Sequence, residues 1–267
     1  MQAMRVHIAG ALQMIWGGRL SSILLIVGLI PFSPLQAILS ISVSVLLMIE
    51  EQFDCQVVSW EEAYGLEREL ASRIKSSGYR PDLVVAIGRG GFVPARVVCD
   101  RLLHTQLTSI RIERWGVAAN KLERATIRFP LSVSISNMSV LVVDDVTDTG
   151  DTLSAALDYL WSLGPAEVKT GVLHHKVSSK VEPDYCSEIV HRWRWIVYPW
   201  AFHEEMLGFV ERVLSDNPLG MEEIRNRLKR FYGIDISEPD LSDVLEDAIL
   251  TGKAEMTGEG YVRAGQV

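Results

Sequence analysis

The chain has 267 residues, 48% hydrophobic and 22% charged, which excludes a disordered or fibrous class and leaves one large domain or one domain with appendages. A net charge of −8 speaks against a dominant nucleic-acid role, because neutralising phosphates takes clustered Lys and Arg. Cys55, Cys99 and Cys186 are far apart and form no C-x-x-C, so neither a disulfide framework nor a cysteine zinc site is expected, and a reducing, cytoplasmic setting fits.

Residues 1–49 differ from the rest. Leu20 to Ile49 is a run of thirty residues without a charge, long enough for a membrane helix. Pro31 and Pro34 split it into pieces of eleven and fifteen residues, each short for a span. Arginines precede it and Glu50, Glu51 and Asp54 follow, an order that would place the remainder outside the cell. The broken apolar stretch, with no A-x-A site, does not read as a secretory signal. Residues 1–49 are therefore expected to be dispensable to the folded domain, with Met48 as an alternative start. A membrane-associated hairpin or a single span through residues 20–49 is the competing expectation.

The main domain is expected over residues 50–215. Ser59 and Glu62 form an S-x-x-E capping box, and Leu66, Leu70 and Ile74 give the helix that follows an apolar face ended by Gly78. Asp82 to Ile87 reads as a strand buried on both faces, Gly88-Arg89-Gly90-Gly91 as a turn, and Phe92 to Leu103 as a helix with Pro94 in its first turn. Leu107 to Ile112 alternates like a strand. Trp115 to Arg128 is polar, charged and weakly periodic, which predicts a long mobile loop with strand at its edges. Ser139 to Val143 reads as a buried strand, Asp144 to Gly150 as a turn and Asp151 to Leu163 as a helix. Glu167 to Leu173 and Trp193 to Val197 complete the strands, and His203 to Leu214 reads as a helix. Strands alternating with helices predict an α/β fold with a mainly parallel sheet. After a linker at Asp216-Asn217-Pro218, residues 219–267 predict two helices, Met221 to Tyr232 and Leu241 to Thr251, and a hairpin, together a winged-helix-like tail. Its six basic and ten acidic residues make the cluster Arg225, Arg227, Lys229 and Arg230 a solvated helix face rather than a DNA reader.

The most informative stretch is Val140-Leu141-Val142-Val143-Asp144-Asp145-Val146-Thr147-Asp148-Thr149-Gly150-Asp151-Thr152-Leu153. A hydrophobic strand delivers two carboxylates to its C-terminal end, where open α/β sheets bind ligands. A Thr/Asp/Gly turn then opens a helix whose N–H groups and dipole suit a phosphate. Asp144 and Asp145 would repel that phosphate and suit ribose hydroxyls or magnesium instead.

This stretch resembles the phosphoribosyl pyrophosphate (PRPP) signature of type I phosphoribosyltransferases, and the resemblance runs from about Ser59 to Trp200. It implies a Rossmann-like parallel sheet with a mobile loop and a small hood, and transfer of a ribose phosphate from PRPP to a nitrogen nucleophile with release of pyrophosphate. On this resemblance Asp144 and Asp145 hold the ribose hydroxyls, with Mg2+ near Asp145. Thr147, Asp148, Thr149, Gly150, Asp151 and Thr152 cradle the 5′-phosphate. Asp151 departs from the pattern, which commonly has a small residue there. Gly88, Arg89, Gly90 and Gly91 resemble the pyrophosphate loop, where a cis peptide is often found, and Lys121, Arg124 and Arg128 fall in the mobile loop.

Lys176, and Trp195 in the run Trp195-Ile196-Val197-Tyr198-Pro199-Trp200, resemble the hood of xanthine-guanine phosphoribosyltransferases. There a lysine bonds the purine 6-oxo group, an aromatic ring stacks on the base, and the backbone after Trp195, at Ile196, reads the 2-position. Asp148 matches the position near purine N7, as general base or as partner of the N7 proton, and an acid there favours purines. Trp195 and Trp200 also suit plain core packing. His174 and His175 read as structural or rim residues. The resulting expectation is a 6-oxopurine phosphoribosyltransferase acting in salvage on xanthine, guanine or hypoxanthine, assembled as a dimer or tetramer. The alternatives are a PRPP- or nucleotide-sensing regulator and an enzyme for another nitrogen base.

Overall fold

The computed structural model describes residues 52–115 and 121–265; the expectations for residues 1–49 lie outside them. A six-stranded sheet forms the centre. In chain order its strands are β2 (Leu83–Gly88), β3 (Leu107–Trp115), β4 (Lys121–Phe129), β5 (Ser139–Thr147), β6 (Glu167–Lys176) and β7 (Tyr185–Val190), arranged β4-β3-β2-β5-β6-β7. All neighbours run parallel except β3 and β4. Two short strands outside this sheet, β1 (Cys55–Val57) and β8 (Trp195–Val197), pair in parallel with Cys55 opposite Trp195.

The central strands are apolar throughout because both faces are covered. Val84 and Ala86 of β2, with Leu141 and Val143 of β5, face one core. That core is closed by Leu70 and Ile74 of α1 (Trp60–Ser76) and by Ala95 and Val98 of α2 (Phe92–Leu102). The alternate residues Val85, Ile87, Val140 and Val142 face a second core with Leu153, Ala156 and Leu160 of α3 (Asp151–Trp161). The period of two thus splits each strand between two layers. The capping box is present, with Ser59 N donating to Glu62 Oε2 at 2.7 Å and Glu62 N to Ser59 Oγ at 3.2 Å.

Four expectations need correction. Asp144 to Thr147 is strand rather than turn, because β6 runs on to Lys176 and pairs Val146 with His174 and Thr147 with His175. The loop expected from Trp115 to Arg128 is largely strand: β3 reaches Trp115 and β4 starts at Lys121. Antiparallel pairing satisfies those backbones whatever their side chains, and charge suits an edge strand. β7 has no counterpart among the expected strands, because its half-buried residues lack the continuous apolar run of a central strand. The strand expected from Trp193 begins only at Trp195 and pairs with β1 outside the central sheet.

Beyond β8, Pro199–Ala201 forms a 3₁₀ turn leading into α4 (Phe202–Val213). Then come α5 (Met221–Tyr232), α6 (Glu238–Leu250) and a hairpin of β9 (Ala254–Thr257) and β10 (Gly260–Arg263). Met206, Phe209, Val210 and Val213 of α4 share one core with Ile224, Leu228, Leu241, Val244 and Leu245. Three of the four basic residues of α5 are engaged in local hydrogen bonds or ion pairs. Arg225 Nε donates to Ile236 O at 3.0 Å, Arg227 pairs with Glu223 at 2.9 Å and Lys229 with Asp235 at 3.0 Å. Among the described residues no helix is long and apolar enough to cross a membrane.

Candidate active site

The carboxyl ends of β2, β5 and β6 converge on two adjoining cavities. The first, of about 510 Å³, is lined by Asp144 through Leu153, Lys176, Trp193, Trp195 and Ile196. The second, of about 660 Å³, lies on the far side of Asp145 and Trp195 and adds Arg89, Gly90, Trp200, Glu204 and Glu205. The residues predicted for the PRPP signature and the base hood therefore share one cavity, and Arg89 and Gly90 line its neighbour.

Asp144 is buried, and its Oδ1 accepts Asp145 N at 3.0 Å. Burial, with the charge of Asp145 adding, holds the Asp144 carboxyl well above the usual range, and burial pushes Asp145 up to about 6. Neighbouring cations would relieve both. Among the described residues no three His, Cys, Asp or Glu side chains form a metal-holding group. Magnesium ordinarily takes one or two carboxylates and completes its shell with phosphates and water, and the hard oxygens of Asp144 and Asp145 fit that donor set.

The glycine turn sits against this pair. Its Gly88–Arg89 peptide is cis. A Cβ at Gly90 would overlap the Asp145 carboxylate, and one at Gly91 would overlap the carbonyl oxygen of Val143. Arg89 is engaged across the cavity mouth: Nη2 donates to Glu204 Oε1 and Nη1 lies 2.9 Å from Glu204 Oε2.

In the turn before α3, Gly150 sits at φ +82° and no side chain caps the helix there. The helix thus opens on N–H groups that an anion can accept from. Thr149 Oγ1 donates to Asp151 Oδ2 at 3.0 Å, and Lys180 Nζ lies 3.7 Å from Asp151 Oδ1, so the unexpected carboxylate is bound to its own neighbours. Thr147 Oγ1 is 2.8 Å from His175 Nδ1, which ties β6 to the end of β5 just before the turn. Tyr198 donates its single hydroxyl proton to Asp145 O at 2.9 Å, so at 2.7 Å it must accept from His174 Nδ1–H. His174 is fully buried, and burial lowers its pKa, as suits a neutral structural imidazole.

The part of the cavity around Lys176 is held by charge and aromatic rings. Lys176 is 3% exposed and its Nζ lies 3.1 Å from Asp148 Oδ2. The ammonium stands 4.8 Å from the Trp193 ring centroid and 5.9 Å from that of Trp195. Trp193 Nε1 donates to Asp148 Oδ1 at 3.2 Å, and Trp195 Nε1 to Glu205 Oε2 at 2.9 Å. Trp200 stacks on Tyr198 with centroids 4.8 Å apart and rings 7° from parallel.

The family model of the phosphoribosyl transferase domain matches residues 56–205, more than half of the chain. The chain belongs to the phosphoribosyltransferase family. Among its relatives is the hypoxanthine-guanine phosphoribosyltransferase of Saccharomyces cerevisiae, 26% identical over 155 residues, covering 52% of this chain and 69% of the yeast protein. The xanthine-guanine phosphoribosyltransferase of Idiomarina loihiensis is 26% identical over 148 residues, covering 55% of this chain and 86% of that protein. A solved purine phosphoribosyltransferase from Pyrococcus horikoshii aligns with a TM-score of 0.49 and 28% identity, over 55% of this chain and 93% of its own.

Two sets of side chains in this phosphoribosyltransferase escaped the sequence reading. Trp193 lies two residues before Trp195, a spacing that shares a face in extended chain, and this was the available signal. Glu204 and Glu205 look like ordinary first-turn acids of a helix, and nothing in the sequence marks them as reaching Arg89 and Trp195. Arg128 is on β4, while the side chains of Lys121 and Arg124 lie outside the described residues.

Proposed function

We propose that this phosphoribosyltransferase moves the 5-phosphoribosyl group of PRPP to a 6-oxopurine and releases pyrophosphate. The observation that carries the reading is the single cavity that joins the acidic pair, the threonine-rich turn, Lys176 and Trp195. One end suits a sugar phosphate and the other a flat base with a carbonyl acceptor.

In this reading the 5′-phosphate accepts from the N–H groups and hydroxyls of Thr147 to Thr152, and Asp144 and Asp145 hold the ribose hydroxyls. Trp195 covers the face of the base, Lys176 donates to its O6, and the Ile196 backbone meets its 2-position. Asp148 accepts from N7–H while N9 attacks the anomeric carbon. The C1–pyrophosphate bond breaks through an oxocarbenium-like transition state, and Arg89 with the glycine-turn N–H groups stabilises the departing anion. Asp145, with Asp144 beside it, would hold magnesium, whose chemistry is to neutralise charge on the pyrophosphate. The engagement of the α5 basic residues within the fold favours this enzyme over a regulator that reads nucleic acid.

The test is pyrophosphate release by purified protein given PRPP, magnesium and a panel of bases. Release with xanthine, guanine or hypoxanthine supports the assignment. Release only with another base transfers it to a different acceptor, and none with any base points to the PRPP-sensing alternative.

A further inference from the structure

We infer that Trp193 is a positioning residue that reserves one oxygen of Asp148 for the incoming base; the inference rests on the purine reading above. Both carboxylate oxygens of Asp148 carry a donor: Oδ1 takes the Trp193 indole N–H at 3.2 Å, and Oδ2 faces the Lys176 ammonium at 3.1 Å. The two donors differ in what they can do next. The Trp193 ring is fixed by an edge-to-face contact with Phe53, centroids 5.6 Å apart, and an indole N–H has one direction of donation. Lys176 has three rotatable donors on a flexible stem.

A 6-oxopurine presents the O6 acceptor beside its N7–H donor. When Lys176 turns to O6 it releases Oδ2, while Trp193 keeps Oδ1 and holds the carboxylate in place. The vacated oxygen then receives N7–H. A 6-aminopurine presents a donor where O6 would be. Lys176 gains nothing by leaving Asp148, and neither carboxylate oxygen opens. Discrimination between 6-oxo and 6-amino bases is thereby written into turnover as well as into binding, and Trp193 is what keeps the freed oxygen aimed at N7.

Trp193→Phe keeps an aromatic ring in place beside Lys176 and removes the indole N–H together with part of the ring. Trp193 is 44% exposed, so the change falls at the surface, with Phe53 as the ring it packs on. The expected result is a kcat with guanine or hypoxanthine that falls roughly tenfold or more, the usual loss for one hydrogen bond to a charged group, while KM for PRPP stays parental. Lys176→Ala removes the donor that blocks Oδ2, and the ratio of adenine to guanine kcat is expected to rise. A parental kcat in Trp193→Phe overturns the inference, as does a loss spread equally over kcat and both KM values, or an unchanged adenine ratio in Lys176→Ala. If the parent releases no pyrophosphate with any 6-oxopurine, the functional reading and the inference fall together. If the parent is active and the variants behave like it, only the inference falls.

Discussion

Glu205 Oε2 accepts the indole N–H of Trp195 at 2.9 Å, so the first turn of α4 holds a wall of the cavity that also contains Lys176. Burial raises the Glu205 pKa, and the Trp195 N–H opposes that shift. The same helix carries Met206, Phe209 and Val210 into the core shared with α5 and α6. The Trp195 ring, proposed to stack on the base, is thereby anchored to the C-terminal part of the chain.

Replacing Glu205 with Ala strands the Trp195 N–H and frees the ring to turn. A typical net hydrogen bond is worth about 1 kcal/mol, so KM for the base should rise about fivefold, with KM for PRPP unchanged. Glu205→Gln keeps an acceptor and should stay near the parent. Steady-state kinetics with each substrate varied in turn provides the check, and identical base KM values in parent and Glu205→Ala would count against the anchoring role.

Asp148→Asn keeps an oxygen for Trp193 but turns an amide N–H₂ toward Lys176 or the base. Turnover should drop by roughly 100-fold, the usual scale for losing a positioned proton acceptor, with KM values largely spared. Single-turnover measurement of nucleotide formation separates this from slow product release.

Gly91→Ala should cost at least about 2 kcal/mol, because the new methyl would overlap the carbonyl oxygen of Val143 and lie 2.8 Å from that of Ile87, and backbone cannot move aside. Gly208→Ala makes the contrasting case. Nothing lies within 4 Å of its added Cβ, and its position inside α4 should gain about 0.5–1 kcal/mol. Urea unfolding of both variants beside the parent reads the two signs.

Glu67 is 2% exposed within α1 and burial pushes its pKa to about 7, from an ordinary 4.5. A carboxyl raised in the folded state binds a proton that the unfolded chain has released. Its contribution is therefore complete below about pH 4.5 and is lost as pH rises toward 7, a change on the order of 3 kcal/mol. Glu67→Gln should flatten that part of the stability profile. Denaturant midpoints measured every half unit between pH 4.5 and 7.5 would show it, and parallel profiles for the two proteins would refute the assignment.

Leu228→Ala in α5 opens the core that α5 shares with α4, at a cost of about 2–5 kcal/mol. Because α4 carries Glu204 and Glu205, the base KM should also rise at temperatures where the parent is unaffected. Thermal unfolding and base kinetics on the same samples link the two effects.

The alternation that makes the central sheet was legible because β2 and β5 are apolar on both faces and each is followed by a glycine turn and a helix. The cavity-lining segment stood out for a different reason: Asp144 through Thr152 combine residue types that rarely coincide by chance. What stayed hidden depends on pairing. β4 carries Lys121, Glu123, Arg124 and Arg128, and only its antiparallel neighbour β3 makes a strand of it. β5 runs past the acidic pair because β6 continues beside it. Glu204 reaches Arg89 across 115 positions of sequence, a contact no local pattern encodes.

The Arg89–Glu204 pair also bears on which anions can enter. Its two side chains are 65% and 62% exposed, so the pair is held by about 0–1 kcal/mol and acts as a placeholder more than a lock. A lone chloride or acetate offers the guanidinium no more than the resident carboxylate already does. A ligand with several negative oxygens, able to engage Arg89 and the turn amides together, outbids it at little cost. If Arg89 takes the pyrophosphate as proposed, this entrance selects polyanions by competition rather than by shape.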